Sequence, residues 1–481
     1  MSVAAVSISH RRHIVVDLDG TLVLTDTFAA SLLEAVRKRP SCIFGLIAAL
    51  LRGRAICKNI AAEIARLNIA SLPYHEPLIE YLKQERAAGH RLILATGADL
   101  SIANAVAEHL GIFDDVIASD GARNMTGDEK LRAIREKLGD MPFTYAGNSR
   151  ADLKVWRRSQ AAILVGAPRS CARELHNAGI SVQQEFKGAH RDWKSLVRCM
   201  RPHQWSKNVL VFVPAVLAHQ VRNGLVMRET LIAFFALSFC ASALYIVNDL
   251  LDLQADRLHP RKRNRPLASG EVSVEASLGL AVLLALTAAA LGTLLPSQGF
   301  ILLAGYAASS LLYSLKLKRM LFLDVVSLAL LYALRVLYGG AATNIKISVW
   351  TLAFSLFLFA SLATVKRLAE LRRVNVNAAR TQEYRGYMEV DVPQLSSLAS
   401  AAGYVAVLVF ALYINSPEVT LLYRHPQGLW LLCPILIYWI SRLTLIANRG
   451  HLDDDPVAFA LKDRATWFAG ALAAVILVLS T

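Results

Sequence analysis

From residue 206 onward the chain is a succession of apolar runs, at about 206–221, 229–247, 274–295, 299–315, 323–343, 348–365, 395–415, 428–447 and 466–481. A helix rises 1.5 Å per residue, so about twenty apolar residues cross the ~30 Å hydrocarbon layer. Backbone polar groups in that layer must bond within their own segment, which predicts an all-α polytopic bundle of about nine transmembrane helices. The connecting loops are charged unequally. Those at 248–273, 316–322, 366–394 and 448–465 hold 17 Lys/Arg, and the alternate ones at 222–228, 296–298, 344–347 and 416–427 hold 4. Positive-inside bias therefore places the first set in the cytosol, with the protein in the inner (plasma) membrane. The net charge of +15 is read as topology and anion binding. No nucleic-acid-binding motif accompanies it, and no nucleic-acid partner is expected.

One polar stretch interrupts the apolar pattern with unusual regularity. Asn248, Asp252 and Asp256 are spaced i, i+4, i+8, and Asp249 lies three residues before Asp252, so on a continuing helix the acids share a face. Carboxylates crowded in this way call for a cation. Oxygen ligands beside Lys262 and Arg265 favour Mg²⁺ shared with a diphosphate, because Mg²⁺ leans on substrate phosphates. A second polar cluster, Tyr313 to Arg319 with Lys316 and Lys318, precedes Asp324 at the start of the next apolar run. Lys207, in the Arg201–Asn208 stretch, falls on the same side and can take a phosphate. Arg335 lies inside an apolar run, where an ionisable group is a functional candidate or a structural partner.

The first 190 residues read differently. His13–Val16 is a short strand ending in Asp17 and Asp19 before Gly20, and Arg91–Ala95 is a second strand followed by Thr96. Lys130 follows, then a strand from Phe143 that ends in Asn148 and Asp152. Strands alternating with helical stretches predict a doubly wound parallel α/β sheet, whose sites lie at the strand C-termini. Six scattered cysteines without a CxxC pair give neither a disulfide frame nor a zinc site. Ile14–Val16 is too short for a signal sequence, so a cytosolic N-terminus is expected.

This order of motifs resembles the haloacid-dehalogenase phosphatase superfamily over residues 13–185. The resemblance implies Asp17 as nucleophile, Asp19 as general acid/base, Thr96 and Lys130 on the phosphoryl oxygens, and Mg²⁺ held by Asp17, the Asp19 carbonyl, Asn148 and Asp152. Asn148 stands where the family's Gly-Asp-x-x-x-Asp pattern has its first acid, so one negative charge is absent. Residues 22–78 occupy the position of a substrate-selecting cap. They include the apolar run Cys42–Leu51 between Arg37, Lys38, Arg39 and Arg52, Arg54. Ten apolar residues cannot span a bilayer. The run fits either a helix lying on an anionic membrane surface or a cap packed on its own core.

After a junction at 191–205, residues 206–481 resemble the UbiA superfamily of intramembrane prenyltransferases. Asn248-Asp249-x-x-Asp252-x-x-x-Asp256 carries the likeness. The aromatic prenyltransferases of that superfamily have a second motif with two acids; here Asp324 is present and position 328 is leucine. The stretch His259–Gly270, with Arg201–Asn208 and Tyr313–Lys318, is similar to the decaprenyl-phosphate phosphoribosyltransferase branch. That branch implies attack of a polyprenyl phosphate on phosphoribosyl diphosphate. Asn248, Asp249, Asp252 and Asp256 would hold Mg²⁺ and the diphosphate, and Lys262, Arg265, Lys316 and Lys318 would be shared among the substrate phosphates. The fused phosphatase would then remove the 5-phosphate, supplying lipid-linked pentose for cell-envelope glycans. The alternative is an aromatic prenyltransferase of quinone synthesis with a non-catalytic N-terminal module. The expected partners are the two substrates and the membrane, and a homo-oligomer is compatible with such a bundle.

Overall fold

The computed structural model describes residues 12–188, 192–374, 386–452 and 456–480. Part of the expected basic loop at 366–394, and positions 453–455 of the loop at 448–465, lie outside the described residues. The chain forms two compact units, and their boundary is not linear. The first joins Met1–Met200 to Tyr245–Val282, and the second comprises Arg201–Leu244 and Leu283–Thr481.

The core of the first unit is the expected parallel α/β sheet. Its strands are β1 (His13–Val16), β2 (Arg91–Asp99), β3 (Asp115–Ser119), β4 (Phe143–Gly147), β5 (Ala161–Val165) and β6 (Ser181–Phe186). They lie in the order β3-β2-β1-β4-β5-β6, all pairs parallel. The two-residue period of the strands divides their apolar side chains between two faces. Ile14, Val16, Leu92, Leu94, Ile163 and Val165 pack on one, and Val15, Ile93, Ala95, Tyr145, Ala162 and Leu164 on the other. The order reverses across β1 and β4, which opens a crevice at their C-terminal ends.

Three helices after β1 build the cap: α1 (Thr27–Lys38), α2 (Cys42–Arg52) and α3 (Arg54–Ala65). Asp26 starts α1 by accepting the Ala29 N–H at 2.9 Å. Ala35, Leu46, Ala49, Cys57, Ala61 and Ala65 form the small core among the three. The Tyr245–Val282 segment belongs to this unit through specific contacts. Glu271 accepts from Ser195 Oγ at 2.8 Å and from the Arg198 guanidinium. Gly270 (φ +80°) lies so near Leu24 that a Cβ would come within 2.8 Å of it. No side chain fits there.

Among the described residues seven helices are long and apolar enough to cross a membrane: Gly224–Leu251, Val274–Gly292, Ser297–Arg319, Leu323–Ala342, Val349–Arg372, Glu389–Ile414 and Pro426–Asn448. Two of the nine expected segments depart from that pattern. The stretch expected at 206–221 is a 3₁₀ segment, Pro202–Phe212, followed by the short helix Val213–Leu217. Pro214 removes a backbone donor within that run, where the 3₁₀ segment gives way to the short helix. The last segment is a helix of 17 residues, Arg464–Ser480. In the second unit Phe359, Leu362, Val365, Leu395, Ala399 and Leu443 form a central apolar cluster.

Candidate active sites

The first site forms where β1 and β4 end. Asp17 is buried, and its Oδ1 accepts from Lys130 Nζ at 2.8 Å. Lys130 also donates to the Tyr145 hydroxyl at 3.1 Å, and that hydroxyl donates to Asp152 Oδ1 at 2.9 Å. The other Asp152 oxygen accepts from the Asn148 N–H at 3.1 Å and from the Ser149 N–H and Oγ, both at 3.0 Å. Asp152 thus fixes the turn after β4 and, through Tyr145, orients the lysine. Asp19 Oδ1 accepts the Thr27 N–H at 2.7 Å, which ties the carboxylate to the first turn of α1. The Asn148 side chain lies over Gly20 (φ +74°), where a Cβ would come within 2.1 Å of its amide nitrogen.

The electrostatics of this cluster are those of crowded acids. Burial first, and Asp152 in addition, push the Asp17 carboxyl up to about 6 against the pull of Lys130. Burial and Asp26 push Asp19 up to about 7. Lys130 stays above its ordinary value, because Asp17 and Asp152 outweigh its burial. Carboxylates displaced upward by burial and by one another are stabilised by a divalent cation, so the donor set fits Mg²⁺. Asp17, the Asp19 backbone carbonyl and Asn148 would hold it, with Asp152 supporting their positions.

A cavity of about 620 Å³ opens on Asp17. Its wall includes Asp19, Asp26, Lys130 and Asn148 from the core, Arg54 and Lys58 from the cap, and apolar Phe28, Leu32, Val274 and Leu278. Lys58 Nζ donates to Gly97 O at 2.6 Å and to Asn124 Oδ1 at 2.9 Å, joining α3 to the loop after β3. Sequence reasoning did not single out Lys58 or Tyr145. The signal for Lys58 was its i, i+4 spacing from Arg54 on an alanine-rich helix. Thr96, expected on the phosphoryl oxygens, directly precedes Gly97 of this wall. Its hydroxyl is fully buried and accepts the Ala98 N–H at 3.0 Å. Because β2 continues to Asp99, the cavity wall at this point is Gly97.

The second site is the acidic stretch. The helix Gly224–Leu251 gives way at Asp252 to a short helix, Leu253–Leu258, yet the hydrogen bonds Asp252 N→Asn248 O (2.9 Å) and Asp256 N→Asp252 O (2.8 Å) carry the helical course across the break. The expected i, i+4, i+8 arrangement is therefore present. Arg265 Nη1 donates to Asp249 Oδ1 at 3.1 Å and also to Asp256 Oδ2. Both carboxylates are buried, while Asn248, Asp252 and Lys262 are half-buried. Burial pushes the Asp256 carboxyl up, with Arg265 pulling the other way. The returning loop is fixed by Arg257 Nε→Ala268 O (3.4 Å) and by His259 Nδ1, which accepts the Arg261 and Lys262 N–H groups. Among the described residues no three acidic, histidine or cysteine groups close on one metal position. Asp249 and Asp256 do converge on one cationic group, so this donor set also suits a cation bound together with an anionic ligand.

In the second unit Asp324 is fully buried. It accepts from the Arg367 guanidinium and, at 2.7 Å, from Tyr387 Oη. Arg367 reaches Glu370 and Tyr313 as well. The carboxylate expected to bind substrate is thus committed to a buried ion-pair cluster. Arg335 is buried between the rings of Tyr306 and Tyr332, with its guanidinium 5.0 and 4.8 Å from the two centroids. It donates to Asn208 Oδ1 (3.1 Å) and Tyr306 Oη (2.8 Å). Lys207 and Lys318 are half-buried, and Lys316 is exposed at a helix end.

Comparison with known proteins matches each of the two regions to a family. The profile of the UbiA prenyltransferase family matches residues 209–479, and that of haloacid dehalogenase-like hydrolases matches residues 14–157. An uncharacterized protein of Sinorhizobium fredii, y4nM, is 36% identical over 97% of this chain and 90% of its own. Nodulation protein NoeC of Azorhizobium caulinodans is 32% identical over 57% of this chain and 91% of its own. The decaprenyl-phosphate phosphoribosyltransferase of Mycobacterium tuberculosis is 31% identical over 58% of this chain and 94% of its own.

Proposed function

Because this chain belongs to the UbiA prenyltransferase family and carries a haloacid dehalogenase-like domain ahead of that region, we infer that it is a two-step membrane enzyme. It transfers 5-phosphoribose from phosphoribosyl diphosphate to a polyprenyl phosphate, and then removes the 5-phosphate to leave polyprenyl-phospho-ribose for envelope glycan synthesis. The observation that carries the reading is the Asp249–Arg265–Asp256 cluster, in a region resembling a decaprenyl-phosphate phosphoribosyltransferase over nearly all of that relative's length.

In the first step a lipid phosphate oxygen bonds to C1 of the ribose as the bond from C1 to the diphosphate oxygen breaks. The acceptor is already anionic and needs no strong base. Asp249, Asp252 and Asp256 with Asn248 would hold Mg²⁺ for the diphosphate end, while Arg265 and Lys262 offer positive charge to the same group. Lys207, Lys316 and Lys318 are the remaining cations proposed for the sugar and lipid phosphates. Mg²⁺ bound by the carboxylates would supply charge to the departing diphosphate and, in the N-terminal site, to the phosphoryl group.

In the second step Asp17 Oδ attacks the phosphorus of the 5-phosphate. Asp19, with its carboxyl raised to about 7, gives its proton to the departing sugar oxygen. It then takes a proton from the water that hydrolyses the aspartyl-phosphate. Lys130, held by Asp17 and Tyr145, steadies the nucleophile and the phosphoryl oxygens. We place both sites on the cytoplasmic side, on the strength of the basic loops.

The test is purified protein with Mg²⁺, polyprenyl phosphate and radiolabelled phosphoribosyl diphosphate. Wild type should give lipid-ribose, Asp17→Asn should stop at lipid-phosphoribose, and Asp252→Ala should give neither. Absence of label in lipid for the wild type would sink the transfer reading, and wild type halting at the phosphorylated lipid would sink the second step.

A further inference from the structure

The cap contains a helix that is poorly suited to water. From Ala35 to Ala62 the sequence has Arg37, Lys38, Arg39, Arg52, Arg54 and Lys58 and no Asp or Glu. Within this stretch α2 buries only Leu46 and Ala49. Phe44 is 77% exposed and Leu51 86%, and Ile43, Ile47 and Leu50 are exposed beside them. Phe44, Ile47 and Leu51 are spaced i, i+3, i+7 and share one face. Arg37, Lys38 and Arg39 are exposed before its first turn, and Arg52 and Arg54 at its far end. With 11 residues the helix is about 16 Å long, too short to cross a bilayer and long enough to lie in its interface.

A contiguous apolar face of this kind marks an interaction surface, and its frame decides the partner. Arg37 and Lys38 pair with Glu34. Arg39 on one flank and Arg52 and Arg54 on the other complement an anionic lipid surface, on which the guanidinium groups meet headgroup phosphates while the apolar face enters the acyl boundary. We propose that α2 lies in the interface of an anionic bilayer, with Phe44, Ile47 and Leu51 among the acyl chains and Arg39, Arg52 and Arg54 at headgroup level. Gly53 links α2 directly to α3, which carries Arg54 and Lys58 in the wall of the Asp17 cavity. Seating α2 therefore presents that cavity at headgroup depth, to phosphates attached to lipid. This last consequence rests on the phosphatase reading; the seating itself does not.

The experiment uses the full chain in proteoliposomes. Five of the six cysteines are buried, so Cys42→Ser with Phe44→Cys gives one accessible thiol for an environment-sensitive fluorophore. In vesicles of phosphatidylglycerol and phosphatidylcholine, lipids brominated along the acyl chain should quench the probe. Quenching should weaken in phosphatidylcholine alone and be absent for a probe on exposed Glu63→Cys of α3. An unquenched Phe44→Cys probe in anionic vesicles overturns the proposal. So does quenching that appears only as protein density rises together with cross-links between Phe44→Cys copies, since a second copy would then cover the face. The triple variant Phe44→Asp, Ile47→Asp, Leu51→Asp should lower phosphate release from the phosphorylated lipid roughly tenfold, with hydrolysis of a soluble phosphate ester and lipid labelling unchanged. Equal rates on the lipid for variant and wild type would overturn the link between seating and hydrolysis.

Discussion

Replacing the proposed nucleophile Asp17 with asparagine should abolish phosphate release and, at the same time, make the N-terminal domain more stable. The Asp17 carboxyl is 7% exposed and is displaced from an ordinary 3.8 to about 6, chiefly by burial and despite Lys130 at 2.8 Å. A carboxyl whose pKa is higher in the folded state binds its proton more tightly there. Stability therefore falls as pH rises from about 3.8 to about 6 and is level above that window. At neutral pH the whole penalty is present, and at 1.36 kcal/mol per pH unit it comes to about 3 kcal/mol. Asparagine keeps the shape and a carbonyl oxygen for Lys130 but never carries the charge. The variant should gain about that amount.

A chain with two compact units and a membrane region will not unfold in one step, so the suitable assay is hydrogen exchange in detergent, read on peptides covering β1 and β4. In EDTA the Asp17→Asn variant should exchange these amides about two orders of magnitude more slowly than wild type, which is the same 3 kcal/mol expressed as a rate. Added Mg²⁺ should slow exchange in wild type and do much less in the variant, because the cation relieves a repulsion that the variant lacks. Faster or unchanged exchange in Asp17→Asn would refute the account of the site as crowded acids awaiting a cation.

Other outcomes follow from the same geometry. Arg265→Gln removes a charge-assisted donor shared by Asp249 and Asp256, worth about 1.5–3 kcal/mol. Steady-state transfer kinetics should show kcat/KM for phosphoribosyl diphosphate falling roughly ten- to hundredfold, with less Mg²⁺ needed for half-maximal rate. Lys58→Met, on the cavity wall, should raise KM for phosphate release more than it lowers kcat. Asp324→Asn removes one of the two carboxylates that pair with the buried Arg367 guanidinium, Glu370 remaining, at a cost of about 1.5–3 kcal/mol. It should appear as loss of folded protein on size exclusion, whereas Asp252→Ala should remain folded and lose only lipid labelling.

Residues that announce themselves by local spacing were legible in the sequence. Asp17 and Asp19 follow a β-branched strand, and its period of two dictates both packing faces and the strand end at which they emerge. The i, i+4, i+8 acids needed only a helix, and the backbone bonds keep that register even where Asp252 breaks it. Long-range pairings were hidden. Tyr145 sits on an apolar strand and reads as core, and only the fold brings Lys130 and Asp152 to its hydroxyl. Asp324 looked like a ligand because it opens an apolar run, whereas its partner Arg367 lies 43 residues on and Tyr387 63. Hydropathy alone also registers the apolar length of 206–221 without showing that it is a 3₁₀ segment followed by a short helix that opens at Pro214.

The placement of residues 245–282 bears on why the two chemistries share a chain. Their loop carries Lys262 and Arg265 of the proposed transfer site, and its far end is bonded to Ser195 and Arg198 and pressed against Leu24, five residues beyond Asp19. Beyond it, Val274 and Leu278 supply apolar wall to the Asp17 cavity. A soluble sugar phosphate has no use for such a wall beside its phosphate site, whereas a phosphorylated lipid does. If that is the reason for the arrangement, Leu278→Asp should slow phosphate release from the lipid substrate while sparing a soluble ester, and matched initial rates on the two substrates measure it directly. A uniform loss on both would mean that the segment only buttresses the domain. Retained discrimination for the lipid would mean that the apolar wall plays no part in selecting it.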